Sequence, residues 1–238
     1  MLGCLLLTEG DGRMKVSLEA GEFHYVEYGD EGAPPMVLVH GMGWSSSTWE
    51  QVAPTLAKTR RIIALDLRGH GESVWTPTYS FEQMRDDLLE FADRLGLGKF
   101  LLCGHSMGAS VSWLFAERYV DRLTGLVIVD AAPPDGDGDW TVPPKPEGEL
   151  VADWEMLIAL YGQQAKPDPA WWADLPKITV PTLIVGGGST SKVPQESLAA
   201  AAKLLPDATL VTVEGAGHHV QTAKPDELLA AIEQWAKD

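Results

Sequence analysis

The sequence predicts an α/β fold, a mostly parallel, doubly wound sheet with one small insertion, and three observations predict it. Short apolar runs of four or five residues recur along the chain and end in turn residues, as strands buried on both faces do. Helix-like stretches lie between these runs, so strand and helix alternate. One segment, 131–179, breaks the alternation.

Met14 begins a plausible first strand, which makes residues 1–13 an N-terminal extension expected to be poorly structured. Residues 22–28 (EFHYVEY) alternate as a half-buried strand should. The buried strands follow as MVLV (36–39), RIIAL (61–65), FLLC (100–103), LVIVD (126–130), TLIV (182–185) and TLVTV (209–213). Helices are expected near 49–58, 80–95, 107–119, 195–204 and 225–236. Ser80 with Gln83 reads as a capping box, and Pro225 followed by Asp226 and Glu227 suits a first turn. The core is therefore 14–130 with 180–238. In 131–179, a Pro-, Gly- and Asp-rich start gives way to an apolar, helix-like stretch at 149–162 and the Trp171–Trp172 pair. Those apolar side chains need somewhere to bury, so the segment reads as a small lid over one sheet edge.

The chain has 238 residues, enough for one generous domain that needs no covalent staples. Its 18 basic and 34 acidic side chains leave a net charge of −16. That field repels phosphate backbones and anionic bilayers, so nucleic acid and membrane are not expected partners. Cys4 and Cys103 are too few for a disulfide framework, and Cys103, in an apolar run, reads as a buried small hydrophobe. The opening MLGCLLL lacks a basic leader and is too short to span a bilayer. The expected location is the cytoplasm, the expected partner a small-molecule substrate, and the expected state a monomer or homodimer. No H-E-x-x-H spacing and no GxGxxG opening a helix is present, so neither a metal nor another cofactor is expected.

The most informative segment is Gly104-His105-Ser106-Met107-Gly108, set between an apolar strand and an amphipathic helix. A G-x-S-x-G there is a nucleophile elbow: its glycines permit a sharp turn that lifts the serine hydroxyl above the sheet. The following helix aims N–H groups and a positive dipole end at that serine. Ser106 is the candidate nucleophile.

With HGMG at 40–43, DLRGHGES at 66–73, GHSMG at 104–108 and GAGHH at 215–219, in that order and spacing, the chain resembles the α/β-hydrolase superfamily over residues 22–236. That resemblance implies an oxyanion hole formed by the backbone N–H groups of Met42 and Met107. It makes His70 structural rather than catalytic. It selects His218 as the base over His219, because Gly217 precedes His218 and Pro225 follows at seven residues. His219 then packs or lines the pocket. Relatives commonly carry an acid just after the strand before the last, but Gly186–Pro194 here holds no carboxylate, and Thr190 falls where an Asp is expected. The acid has moved or is missing. Asp130, at the end of LVIVD, is the candidate, with Glu196 in reserve.

A serine at 106 argues against the aspartate-nucleophile dehalogenase and epoxide hydrolase branches. Met42, Trp44, Trp75, Met107 and lid tryptophans such as Trp154 are expected to form an apolar, aromatic pocket. The resulting expectation is a serine hydrolase acting through an acyl-enzyme on a small, largely apolar ester, with a lactone or thioester next. The rivals are a ligand sensor and a non-hydrolytic lyase or cyclase on the same fold.

Overall fold

The computed structural model describes residues 13–136, 140–148 and 150–236. Eight strands form one sheet: β1 (Arg13–Leu18), β2 (Gly21–Tyr28), β3 (Pro35–Val39), β4 (Arg61–Leu65), β5 (Phe100–His105), β6 (Leu123–Val129), β7 (Thr182–Gly186) and β8 (Ala208–Thr212). Their spatial order is β1-β2-β4-β3-β5-β6-β7-β8. The β1–β2 and β2–β4 pairs are antiparallel and the rest parallel. β1 starts at Arg13, one residue before the expected Met14; the rest of the proposed extension lies outside the described residues.

The helices are α1 (Ala53–Leu56), α2 (Phe81–Arg94), α3 (Met107–Tyr119), α4 (Trp154–Ala165), α5 (Ala170–Ala173), α6 (Gln195–Leu204), α7 (Val220–Ala223) and α8 (Pro225–Trp235). Successive residues of each central strand point to opposite faces, which explains why both faces are apolar. Phe100, Leu102, Leu126 and Ile128 pack beneath α2, α3 and α6. Leu101, Cys103, Val127 and Val129 pack with α1, α7 and α8 on the other side. Burial raises the Cys103 thiol pKa and keeps it protonated. Half of the capping box forms: the Ser80 hydroxyl accepts the Gln83 N–H at 3.1 Å, while the Gln83 amide turns to Thr78 instead.

From residue 150 on, the 131–179 insertion is tied to the core. Residues 150–153 run against the loop after β4, with Gly71 N–H to Val151 O at 2.9 Å and Asp153 N–H to Gly69 O at 2.8 Å. Tyr79 donates its hydroxyl to Asp153 at 2.6 Å. Asp153 also caps α4 through the Glu155 N–H, which starts that helix later than the apolar pattern suggests. Gln163 binds the Phe81 N–H and Glu82, clamping the far end of α4 onto α2. Buried Met156, Leu160 and Trp171 fasten the insertion to the α2–α3 side of the core.

Candidate active site

The parallel strands end on one edge of the sheet, where ligand crevices of such sheets lie. β5 leads there into Ser106, which adopts φ 54° and ψ −118°, a backbone conformation costing about 1–3 kcal/mol outside glycine. The flanking glycines make that turn possible. A Cβ at Gly104 would sit 2.4 Å from the Gly108 carbonyl oxygen and from Ser112 Oγ. One at Gly108 would sit 2.5 Å from the carbonyl oxygens of Val39 and His40. Helix α3 thus presses its first turn against β3 and β5.

His218 lies in the loop after β8, with Nε2 2.8 Å from Ser106 Oγ and Nδ1 2.8 Å from Asp130 Oδ2. Asp130 follows the last residue of β6, turns into the left-handed region at φ 49°, and is wholly buried. Its carboxylate accepts the Gly187 N–H at 2.7 Å, the Ser191 hydroxyl, and a long contact from the Gln195 amide at 3.4 Å. Burial works to raise its pKa, but the bonds from His218, Ser191 and Gly187 outweigh it and hold the carboxyl below its ordinary value. Asp130 is therefore an anion facing an imidazole N–H.

A second histidine fixes the first. Burial pushes His105 down to about 3, so the ring is neutral. Its Nε2 lies 2.7 Å from the His218 carbonyl oxygen and must donate there. Its Nδ1 then accepts from the Gln221 amide at 3.1 Å, and the same Gln221 nitrogen lies 3.1 Å from Thr48 Oγ1. On the opposite side, buried His40 accepts the Leu67 N–H at 3.1 Å and donates to the Gly41 carbonyl at 2.8 Å. A Cβ at Gly41 would meet His105 Nδ1 at 2.9 Å and Ser106 Cβ at 3.3 Å, so only glycine lets this loop come so close. The backbone N–H groups of Met42 and Met107 donate to no acceptor among the described residues. Two free amides flanking a serine can hold a developing oxyanion.

These groups open into a cavity of about 620 Å³. Met42, Trp44, Val193 and Leu157 supply apolar wall, and Ser110, Tyr161, Gln164 and Lys192 supply polar wall. A family model described as the alpha/beta hydrolase fold matches residues 34–174, more than half of the chain. The chain belongs to the α/β-hydrolase family. A second model, described as TAP-like protein, matches residues 153–231 of this α/β-hydrolase. The chain is 26% identical to Esterase YbfF of Escherichia coli (strain K12), over 86% of this chain and 93% of that one. The structure of a thermophilic esterase from Thermogutta terrifontis is similar at a TM-score of 0.80 and 28% identity, over 94% of this chain and 98% of the other. A third relative is the dihydrolipoyllysine-residue acetyltransferase component of the acetoin cleaving system of Pseudomonas putida. It is 36% identical over 52% of this chain, which spans 34% of that protein's length.

Of the residues picked out from sequence, this α/β-hydrolase brings Ser106, His218, Asp130, Met42, Met107, Trp44 and His219 to one cavity. Trp44, 45% exposed, sits at the mouth with its ring 5.3 Å from that of His219. Burial, then the charges of His218 and Lys192, lower the His219 pKa. Two expected substrate contacts lie outside this cavity. Trp75 is 48% exposed and outside the lining, because Val74 is bonded to Glu22 and Gly69 and holds its neighbour over the β1–β2 end. Trp154 is also outside the lining: it opens α4, and helical side chains lean toward the N-terminus, away from the Leu157–Tyr161–Gln164 stripe. Glu196 is exposed on α6, with no bond to His218. His70 is buried against His40, with ring centroids 4.8 Å apart, and its Nδ1 bonds the Arg68 carbonyl. Sequence reasoning missed Gly187, Ser191, His105 and Gln221. The one available signal was an unexplained donor-rich stretch where an acid was expected.

Among the described residues, no group of three or more His, Cys, Asp or Glu side chains is placed to hold a metal ion. No helix among them is long and apolar enough to cross a membrane.

Proposed function

We propose that this α/β-hydrolase is a serine hydrolase that cleaves a small carboxylic ester, lactone or thioester through an acyl-enzyme. The observation that carries the reading is the unbroken hydrogen-bond chain from Ser106 through His218 to Asp130, with both links at 2.8 Å. His218 Nε2 takes the Ser106 proton as Oγ attacks the acyl carbon. The Met42 and Met107 amides hold the resulting oxyanion. His218 returns the proton to the departing oxygen or sulfur, and then activates the water that releases the acid. Asp130 keeps the His218 proton on Nδ1 and stabilises the imidazolium. The insertion, a lid in this reading, roofs the cavity with Leu157, Tyr161 and Gln164.

The lyase or cyclase alternative rests on the fold alone, and the sensor alternative drew on the vacant acid position after β7. The contact between Asp130 and His218 removes that motive. The test is intact mass after incubation with a fluorophosphonate, on wild type, Ser106→Ala, Asp130→Asn and His218→Ala. Rapid single labelling of wild type, lost in Ser106→Ala and slowed at least about 100-fold in the other two, is expected. Wild-type labelling no faster than that of Asp130→Asn would overturn the assignment.

A further inference from the structure

Two side chains on the polar wall of the cavity have no role in the hydrogen-bond chain of Ser106, His218 and Asp130. Ser110 on α3 and Gln164 on α4 are 4% and 8% exposed, and both line the cavity. Neither side chain makes a hydrogen bond among the described residues, and neither has a polar atom among the fully buried ones that lack a partner, so their polar atoms are open to the cavity. Their immediate neighbours show what each would otherwise do. Ser112, two residues on, turns its hydroxyl back to the Gly108 carbonyl at 2.7 Å, the usual resort of a helical serine. Gln163 spends its amide on Phe81 and Glu82. Ser110 and Gln164 instead keep their polar atoms for the cavity. Tyr161, one turn before Gln164 on the same face of α4, carries its ring along the same wall. Lys192 adds an ammonium to the lining. Asp135, a second carboxylate in the lining, is already engaged in an interaction of its own.

We infer that Ser110 and Gln164 are specificity-determining residues that bind an oxygen function on the acyl part of the substrate. The inference rests on the serine hydrolase reading and refines its substrate class. Ser110 lies one helical turn, about 6 Å along the axis, beyond Ser106. The recognised oxygen therefore sits about four to six bonds from the scissile carbonyl carbon, as in an ester of a 4-oxo acid or of a six-carbon dicarboxylic acid. A plain alkyl chain would strand both polar groups in a dry contact. That is how a site built for hydrogen bonding rejects an analogue that lacks the partner.

The experiment compares kcat/KM for 4-nitrophenyl 4-oxopentanoate with 4-nitrophenyl pentanoate, and for 4-nitrophenyl hydrogen adipate with 4-nitrophenyl hexanoate, in wild type, Ser110→Ala and Gln164→Leu. A wild-type preference of about 10-fold or more for at least one oxygenated ester is expected, falling toward one in both variants. Preference for the adipate alone assigns a carboxylate, and preference for the oxo ester assigns a neutral carbonyl. If both esters of each pair turn over equally, or the preference survives both substitutions, the inference is overturned while the hydrolase reading stands. If no ester turns over, the hydrolase reading has failed. Binding of the same esters to Ser106→Ala, followed by calorimetry, then decides: binding of an oxygenated ester that is weakened by adding Gln164→Leu supports the pair, and its absence overturns it.

Discussion

The most heavily constrained residue is Asp130, a buried anion with donors on both carboxylate oxygens. Besides His218, the donors come from the segment after β7, 57 and 61 residues further on. Ser191→Ala removes one of them, a bond to a charged acceptor, and should slow fluorophosphonate labelling by about 10-fold or more. Asp130→Asn removes the charge and should slow labelling by about 100-fold or more, with the melting temperature little changed. A residue-scale reading of the sequence reached Ser106 from the elbow pattern after β5, and reached His218 and Asp130 through the family resemblance, Asp130 by its place at the end of β6. It did not reach Gly187, Ser191, His105 or Gln221. Their roles come from adjacency between β6 and β7 and between two loops, which no local pattern encodes. The tryptophans failed differently: an aromatic side chain announces burial but not the direction in which it points, as Trp75 and Trp154 show.

Among the elements, α3 and α6 were legible to the residue. α3 is buried on every side over Met107–Ala116, so its start is set by the elbow at Ser106 rather than by periodicity, and the start of α6 is set by Pro194. α4 was legible as a helix but displaced, because its start is set by Asp153, whose carboxylate is shared between Tyr79 and the cap. The α3 packing against β3 leaves no room for a methyl group at Gly108. Gly108→Ala should therefore push the helix N-terminus away and cut labelling of Ser106 at least about 10-fold, checked against retained secondary structure by circular dichroism. At its other end α3 carries Glu117 against Asp174 and Lys177 of the insertion. Burial, reinforced by Asp174, raises its carboxyl to about 8, and its Oε1 has no partner. A raised acid favours folding fully only below the unfolded value of about 4.3, and that advantage is lost as pH climbs toward 8. Glu117→Gln should thus raise the melting temperature by about 2–4 °C at pH 8 and by much less at pH 4.5.

Across the whole molecule, short apolar runs were enough to place the central strands, which are covered on both faces, whereas β8, expected to be buried, is a largely exposed edge strand. The net charge of −16 is spread over a chain whose buried ion pairs are few, Arg68–Asp87 being the most enclosed. Self-repulsion should dominate over pairing, so moving from about 10 to about 500 mM NaCl should raise the melting temperature. A fall would mean that surface pairs such as Arg94–Glu90 matter more than the overall field. The segment after β7 has a further consequence at this scale. It contributes only hydrogen-bond donors to Asp130, one of them a backbone N–H, yet it also places Lys192, Val193 and Pro194 in the cavity wall. A stretch that holds the charge without carrying it can change sequence at its tip and leave the reactive groups in place. Inheritance or a protein engineer can redraw the selectivity of this pocket there, one residue at a time, without reassembling the chemistry.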